Sequence, residues 1–303
     1  SRGEGAEAAD GEPFRLKVVN AAWGQKDYTF LESYLDVLAL NYGSGLNIVD
    51  FLSDTEGSRE IINGWVEEMT EDRIKDLIPK GAVTADTRLV LTNAVYFNAA
   101  WASQFEENMT VDGTFTLVDA SEVTTPMMNQ ENAFHYAALD DYQVIRMPYD
   151  GNELEMVILL PDAGKFAEVE AQLSPALLDE AYGATDWSQL ALSFPSFEFE
   201  ADYSLVASLK ALGMEDAFIS GLADFSGING ETGLFIFDVI HKTFVKVDES
   251  GTEAAAATAV IFNDESATPQ AIPVKVDRPF IFLVRDMATN STVFLGRVMD
   301  LTE

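Results

Sequence analysis

The feature that most constrains this chain is the stretch from Glu249 to Pro273, ESGTEAAAATAVIFNDESATPQAIP. A strand-like run, Leu234 to Val247, precedes it, and another, Val274 to Val284, follows. A structureless connection of about 25 residues inside a compact domain is uncommon and is usually functional. Its composition is odd for a loop. It opens with glycine, threonine and four consecutive alanines, then turns β-branched at Thr258, Val260 and Ile261. A solvated loop has no need of small side chains in alternation. A segment that must slide between two existing strands does, because alternate residues then face the core. In that register Thr252, Ala254, Ala256, Thr258 and Val260 point inward, all small or β-branched, and Glu253 falls on the outward parity. An alanine-rich helix is the competing reading; it leaves Gly251-Thr252 and the β-branched continuation unexplained.

Composition narrows the function classes. Apolar residues make up 48% of 303, enough for a sizeable core. Cysteine is absent, so the chain has neither a disulfide framework nor a thiolate nucleophile. Two histidines, His135 and His241, leave little for acid–base chemistry or a histidine-rich metal site. Acidic residues number 51 against 18 basic ones, for a net charge of −33. Nucleic-acid binding requires the opposite balance, and anionic membranes would repel such a surface. The plain reading is a solvated acidic surface; the sharper one is adaptation to a salty environment, where screening relieves the self-repulsion. No apolar run reaches the 18 residues of a membrane span. The opening, SRGEGAEAADGEP, reads as a loop, and no signal peptide is visible.

The periodicities give a mixed chain. Tyr28 to Leu40 and Asp54 to Ile78 carry helical apolar spacing. Leu89 to Phe97 reads as a buried strand. Val144 to Pro148 and Leu154 to Leu160 form a hairpin around Asp150-Gly151. Short helices are expected at Phe166 to Leu173, Ala176 to Ala181 and Tyr203 to Leu212, with Gly213 ending the last. Strands are expected at Leu190 to Phe199, Phe280 to Val284 and Thr292 to Val298. Helices early and strands late suggest a single α+β domain over 1–303, with 249–273 as its exposed loop. Nucleophile-elbow, zinc-protease and P-loop motifs are all missing. Asn108-Met109-Thr110 and Asn290-Ser291-Thr292 match the glycosylation acceptor pattern, a weak signal.

Several stretches in order resemble the serpin family. The hinge pattern of serpins is matched by Glu249, Ser250, Gly251, Thr252, Glu253, Ala254, Ala255, Ala256, Ala257 and Thr258. Asp277-Arg278-Pro279-Phe280, Thr92 to Phe97 with Trp101, His241-Lys242, Pro126-Met127-Met128, Leu159-Leu160-Pro161 and Phe294 to Val298 also fit. The resemblance runs from Phe14 onward. It implies a serpin-like fold, with a large mixed main sheet, additional sheets, surrounding helices and a long reactive-centre loop. It further implies an inhibitor of serine endopeptidases that acts as a suicide substrate, with no cofactor. The protease cuts the loop and is trapped as its acyl-enzyme while the cut loop inserts as a new strand. The intact state is then metastable, held by a kinetic barrier.

At the family's spacing the scissile bond is Glu265–Ser266, with a slip of one or two residues open. Gly251 and Thr252 form the hinge, Trp101 lies where the sheet opens, and Asn93 and His241 bridge the central strands by hydrogen bonds. No Lys or Arg lies between Lys246 and Lys275. The expected partner is therefore an elastase-like, chymotrypsin-like or acid-preferring serine protease, not a trypsin-like one. The resemblance also implies a secreted monomer. Two departures stand out. The family's N-terminal helices have no counterpart, with Phe14 to Val19 already matching an edge strand, so the chain is read as N-terminally incomplete. Ser196 stands where some relatives place a lysine that pairs with the hinge glutamate, here Glu249. A non-inhibitory binding or carrier protein on the same fold is the other reading.

Overall fold

The computed structural model describes residues 15–42, 45–252 and 270–302. In chain order the elements are β1 (Arg15–Gln25), α1 (Glu32–Tyr42), β2 (Leu46–Val49), α2 (Thr55–Met69), β3 (Leu89–Ala100), β4 (Val111–Thr116) and β5 (Glu122–Ala138). They continue as β6 (Tyr142–Pro148), β7 (Leu154–Pro161), α3 (Phe166–Gln172), α4 (Pro175–Ala184), β8 (Asp186–Pro195), β9 (Phe197–Ser204), α5 (Val206–Ala211) and α6 (Ser226–Asn229). The last are β10 (Ile240–Val247), β11 (Gly251–Thr252), β12 (Ile272–Lys275), β13 (Phe280–Asp286) and β14 (Ser291–Val298). This is an α+β chain, and it divides into two compact units; β1, β3, β9 and β10 contribute residues to both.

One unit comprises Leu16–Tyr96 and Glu200–Phe244. Its strands follow the order β2-β1-β3-β10-β9. Helix α2 packs its apolar stripe on that sheet because Ile62 and Val66 recur at helical spacing. They meet Val19, Ala21, Phe51, Ile74, Ile78 and Ala94, all buried. Trp65 meets Trp23 edge to face at 5.4 Å, and the Trp23 indole donates to Thr92 Oγ1. Asp54 caps the helix by accepting from the Gly57 amide.

The helix expected to reach Ile78 ends at Met69. Thr70 turns its hydroxyl onto the Val66 carbonyl and accepts from the Ile74 amide, while Glu71 and Asp72 take positive φ of 55° and 62°. Beyond the stop Ile74, Leu77 and Ile78 are buried and recur at helix-like spacing, so periodicity alone could not place it. Strand β1 pairs with β2 over its C-terminal part, Ala22–Gln25 with Leu46–Val49. The strand expected from Leu234 begins only at Ile240.

The other unit holds an eight-stranded sheet with the order β12-β8-β5-β6-β7-β13-β14 and β4 paired to β5. Antiparallel pairing prevails; the exception is β12, which runs parallel to β8. All eight residues of β7 are buried, since both faces are covered. Val144, Val157, Leu159, Ile281 and Leu283 pack under α3 and α4. The opposite parity brings Phe280 and Phe282 together with Phe194, Phe197 and Phe199. Ser174 and Pro175 start α4 in the expected way, with the Ser174 hydroxyl accepting from the Leu177 amide. Glu155 is buried with its charge matched by Arg146 at 3.0 Å and Arg285 at 2.7 Å.

The hairpin around Asp150-Gly151 forms as expected, with Gly151 at φ 79°. The run Val274 to Val284 is two strands, β12 and β13, broken at Asp277-Arg278-Pro279. Leu190 to Phe199 likewise divides at Ser196.

Candidate functional site

The site is built around four residues, Glu249 to Thr252. Gly251 and Thr252 form β11, in register with Ala100 and Ala99 of β3 on one side, while Thr252 pairs with Val247 of β10 on the other. The stretch expected to be loop from Glu249 therefore begins as strand. Gly251 is required here because a Cβ would be driven into the Ala99 carbonyl oxygen and to 2.8 Å from the Ala100 Cα. Thr252 is 3% exposed, on the inward parity expected for it, and its hydroxyl hydrogen-bonds the Tyr149 hydroxyl at 2.8 Å.

Trp101 forms the wall of this site. It is buried, stacks on Tyr149 at 4.6 Å with the rings 9° apart, and donates its indole N–H to the Asp248 carbonyl at 3.0 Å. The Trp101 amide donates to the Ser250 carbonyl, the Asp248 amide to the Gly251 carbonyl and the Phe105 amide to the Glu249 carbonyl. The Glu249 carboxylate accepts from the Thr110 hydroxyl at 2.6 Å. Burial pushes the Asp248 carboxyl above its ordinary range, offset in part by the Ser250 amide and by Lys246 at 3.8 Å. Burial raises the Tyr149 phenol further still, and the Thr252 bond opposes it. Among the described residues no cluster of three His, Asp or Glu side chains could hold a metal ion.

Asn93 and His241 are brought together as expected. They are register partners in the parallel pairing of β3 with β10. Asn93 donates its amide N–H to Asn20 Oδ1 of β1 at 2.8 Å, leaving its oxygen as the acceptor for His241 Nδ1 at 3.1 Å. Asn93 therefore ties β1, β3 and β10, one strand more than the sequence reading gave it. Burial holds the His241 imidazole below its ordinary 6.5.

The remaining hinge residues Glu253 to Thr258 and the expected scissile pair, Glu265 and Ser266, lie outside the described residues. The sequence reading missed Tyr149, seen only as the flank of a hairpin, and Thr110, seen only as part of a glycosylation triplet. The sequence cue at Tyr149 was only a large aromatic placed directly before a tight turn; its full burial and its partner are seen in the structure.

The family model "Serpin (serine protease inhibitor)" matches residues 5–301. The chain belongs to the serpin family. It is 41% identical over 293 residues to an uncharacterized serpin-like protein of Thermococcus kodakarensis, covering 96% of this chain and 68% of that one. It is 38% identical over 296 residues to the human leukocyte elastase inhibitor, covering 95% of this chain and 78% of that one. Among solved structures it resembles thyroxine-binding globulin in complex with thyroxine, with a TM-score of 0.84 and 29% identity over 96% of this chain and 77% of that one.

Proposed function

We propose that this chain inhibits a serine endopeptidase by suicide-substrate trapping. The observation that carries the reading is β11: Gly251 and Thr252 already pair with β3, and Thr252, buried, pairs with β10 as well. A loop that enters a sheet this way can continue into it, one residue pair at a time, once its far side is cut free. The next inward positions, Ala254, Ala256 and Thr258, are small and uncharged. In the reaction the protease serine attacks the carbonyl carbon of Glu265. The amide bond to Ser266 breaks, the nitrogen leaves as a new amino terminus, and the acyl group remains on the protease as an ester. Insertion of residues from 253 onward then removes that ester from its hydrolytic geometry. Asn93 and His241 belong to strands that must part and close around the new strand, and Trp101 borders the hinge from which it starts.

The absence of Lys and Arg from 247 to 274 argues against trypsin-like targets. Elastase-like, chymotrypsin-like and glutamate-preferring enzymes are the candidates, acting on a secreted monomer. The likeness to thyroxine-binding globulin supports the second reading, a carrier on the same fold. Incubation with one protease of each class distinguishes them on a denaturing gel. A gel-stable complex, with a released peptide starting at Ser266, is expected. Clean cleavage that leaves the protease active would favour the carrier.

A further inference from the structure

The Tyr149 side chain touches both the wall of the hinge site and the hinge itself. It is fully buried, its ring is fixed between Trp101 and Phe97, the latter edge-on at 5.0 Å, and its hydroxyl meets Thr252. A buried phenol needs a partner, and a buried threonine hydroxyl does too. Each satisfies the other.

We propose that Tyr149 is a positioning residue for loop entry: its hydroxyl pairs with the Thr252 hydroxyl and so fixes the register from which the loop inserts. The chain offers no other residue for that place. A slip of one residue brings Gly251, without a side chain, or Glu253, with a charge, under the phenol. A slip of two in one direction brings Ala254, which has no hydroxyl. A slip of two in the other direction brings Ser250, which has one, but puts Glu249 where Gly251 sits, and no Cβ fits there. The glycine and the hydroxyl pair are therefore two locks that agree on one register. The register matters because a shift by one residue turns every later side chain to the wrong face, sending Glu253 inward.

The role in trapping rests on the inhibitory reading, and the test separates the two. In the intact chain the amides of Trp101 and Asp248 donate to carbonyls of Ser250 and Gly251, so their hydrogen exchange reports how firmly the hinge is held. Tyr149→Phe and Thr252→Val are each expected to speed that exchange about five-fold, the effect of one net hydrogen bond. The double variant is expected to match either single rather than their product. Thr252→Ser, which keeps the hydroxyl, is expected to stay near the parent. With a protease that the parent traps, the same two single variants should give about five-fold more cleaved, uncomplexed chain per complex formed. Unchanged exchange in Tyr149→Phe, or effects of the two substitutions that simply multiply, would overturn the proposal while leaving the inhibitory reading intact. Coupled exchange effects in a chain that traps none of the three protease classes would uphold the positioning role and remove the inhibitory one.

Discussion

The two ends of the segment 253–269 are held in different ways. The hinge end is a two-residue strand whose short backbone pairing is supplemented by side chains: Tyr149 to Thr252, Thr110 to Glu249 and Trp101 to the Asp248 carbonyl. The far end is β12, four residues parallel to β8, from Ile272 opposite Leu190 to Lys275 opposite Ser193. The ladder continues with the Val276 amide on the Ser193 carbonyl, and the Arg278 guanidinium then donates to the Pro161 carbonyl at 2.7 Å. A backbone ladder works as a unit, whereas side-chain contacts can be given up one by one. The far end is built to stay, and the hinge end is built to be extended.

The largest effect that would break this contrast is a charge at the hinge. Thr252→Arg should reduce complex yield roughly 100-fold, because an unpaired buried charge costs several kcal/mol; the denaturing gel reads it, and normal yield would show that the inward position is not used. Gly251→Val should weaken hinge pairing by about 2 kcal/mol through overpacking against Ala99 and Ala100. Exchange at the Trp101 and Asp248 amides checks this, with the β12 amides unaffected. At the other end, Val274→Ala should lower the unfolding free energy by about 1.5 kcal/mol while leaving complex yield unchanged. A loss of trapping there would mean that the two ends are not independent.

The legible part of this molecule is the part where local sequence and tertiary demand agree. The β-branched run at Leu89 and the apolar run at Phe280 specify strand locally and are strand, and Asp150-Gly151 specifies a tight turn and is one. The hinge was legible because glycine and small residues in alternation have few other uses. Strand β5 was not. It runs for 17 residues and includes Pro126, Asn129, Gln130, Glu131 and Asn132, a poor strand by propensity. Its conformation is imposed by ten paired positions on β8 and six on β4. The polar wall of the hinge was hidden for a similar reason, because Thr110 and Tyr149 stand 139 and 103 residues from the groups they hold. Sequence spacing carries no trace of such pairs.

Acidity provides a finer test of the contrast. Burial holds both histidines below the ordinary 6.5, with Arg146 adding to the effect at His135. The unfolded chain therefore takes up protons first, and stability should begin to fall as pH drops below 6.5, levelling below the folded values. His241→Gln should flatten part of that loss in a pH series of denaturant melts. Asp248 has the opposite sign. Its raised carboxyl favours the hinge site in acid and ceases to do so as pH rises through the folded value. Asp248→Asn should therefore firm the hinge at neutral pH, slowing exchange at the Trp101 amide about two-fold, the smallest effect of the set.

Of the four side chains on β12, only Val274 is buried; Ile272, Pro273 and Lys275 face solvent. The ladder that fixes this end asks almost nothing of residue identity. On the proposed inhibitory reading, the stretch just after the cut can therefore change letters freely while the scaffold underneath is untouched. At the hinge the opposite holds, since one glycine and one hydroxyl admit few replacements. A trap of this design would drift quickly in what it catches and slowly in how it closes.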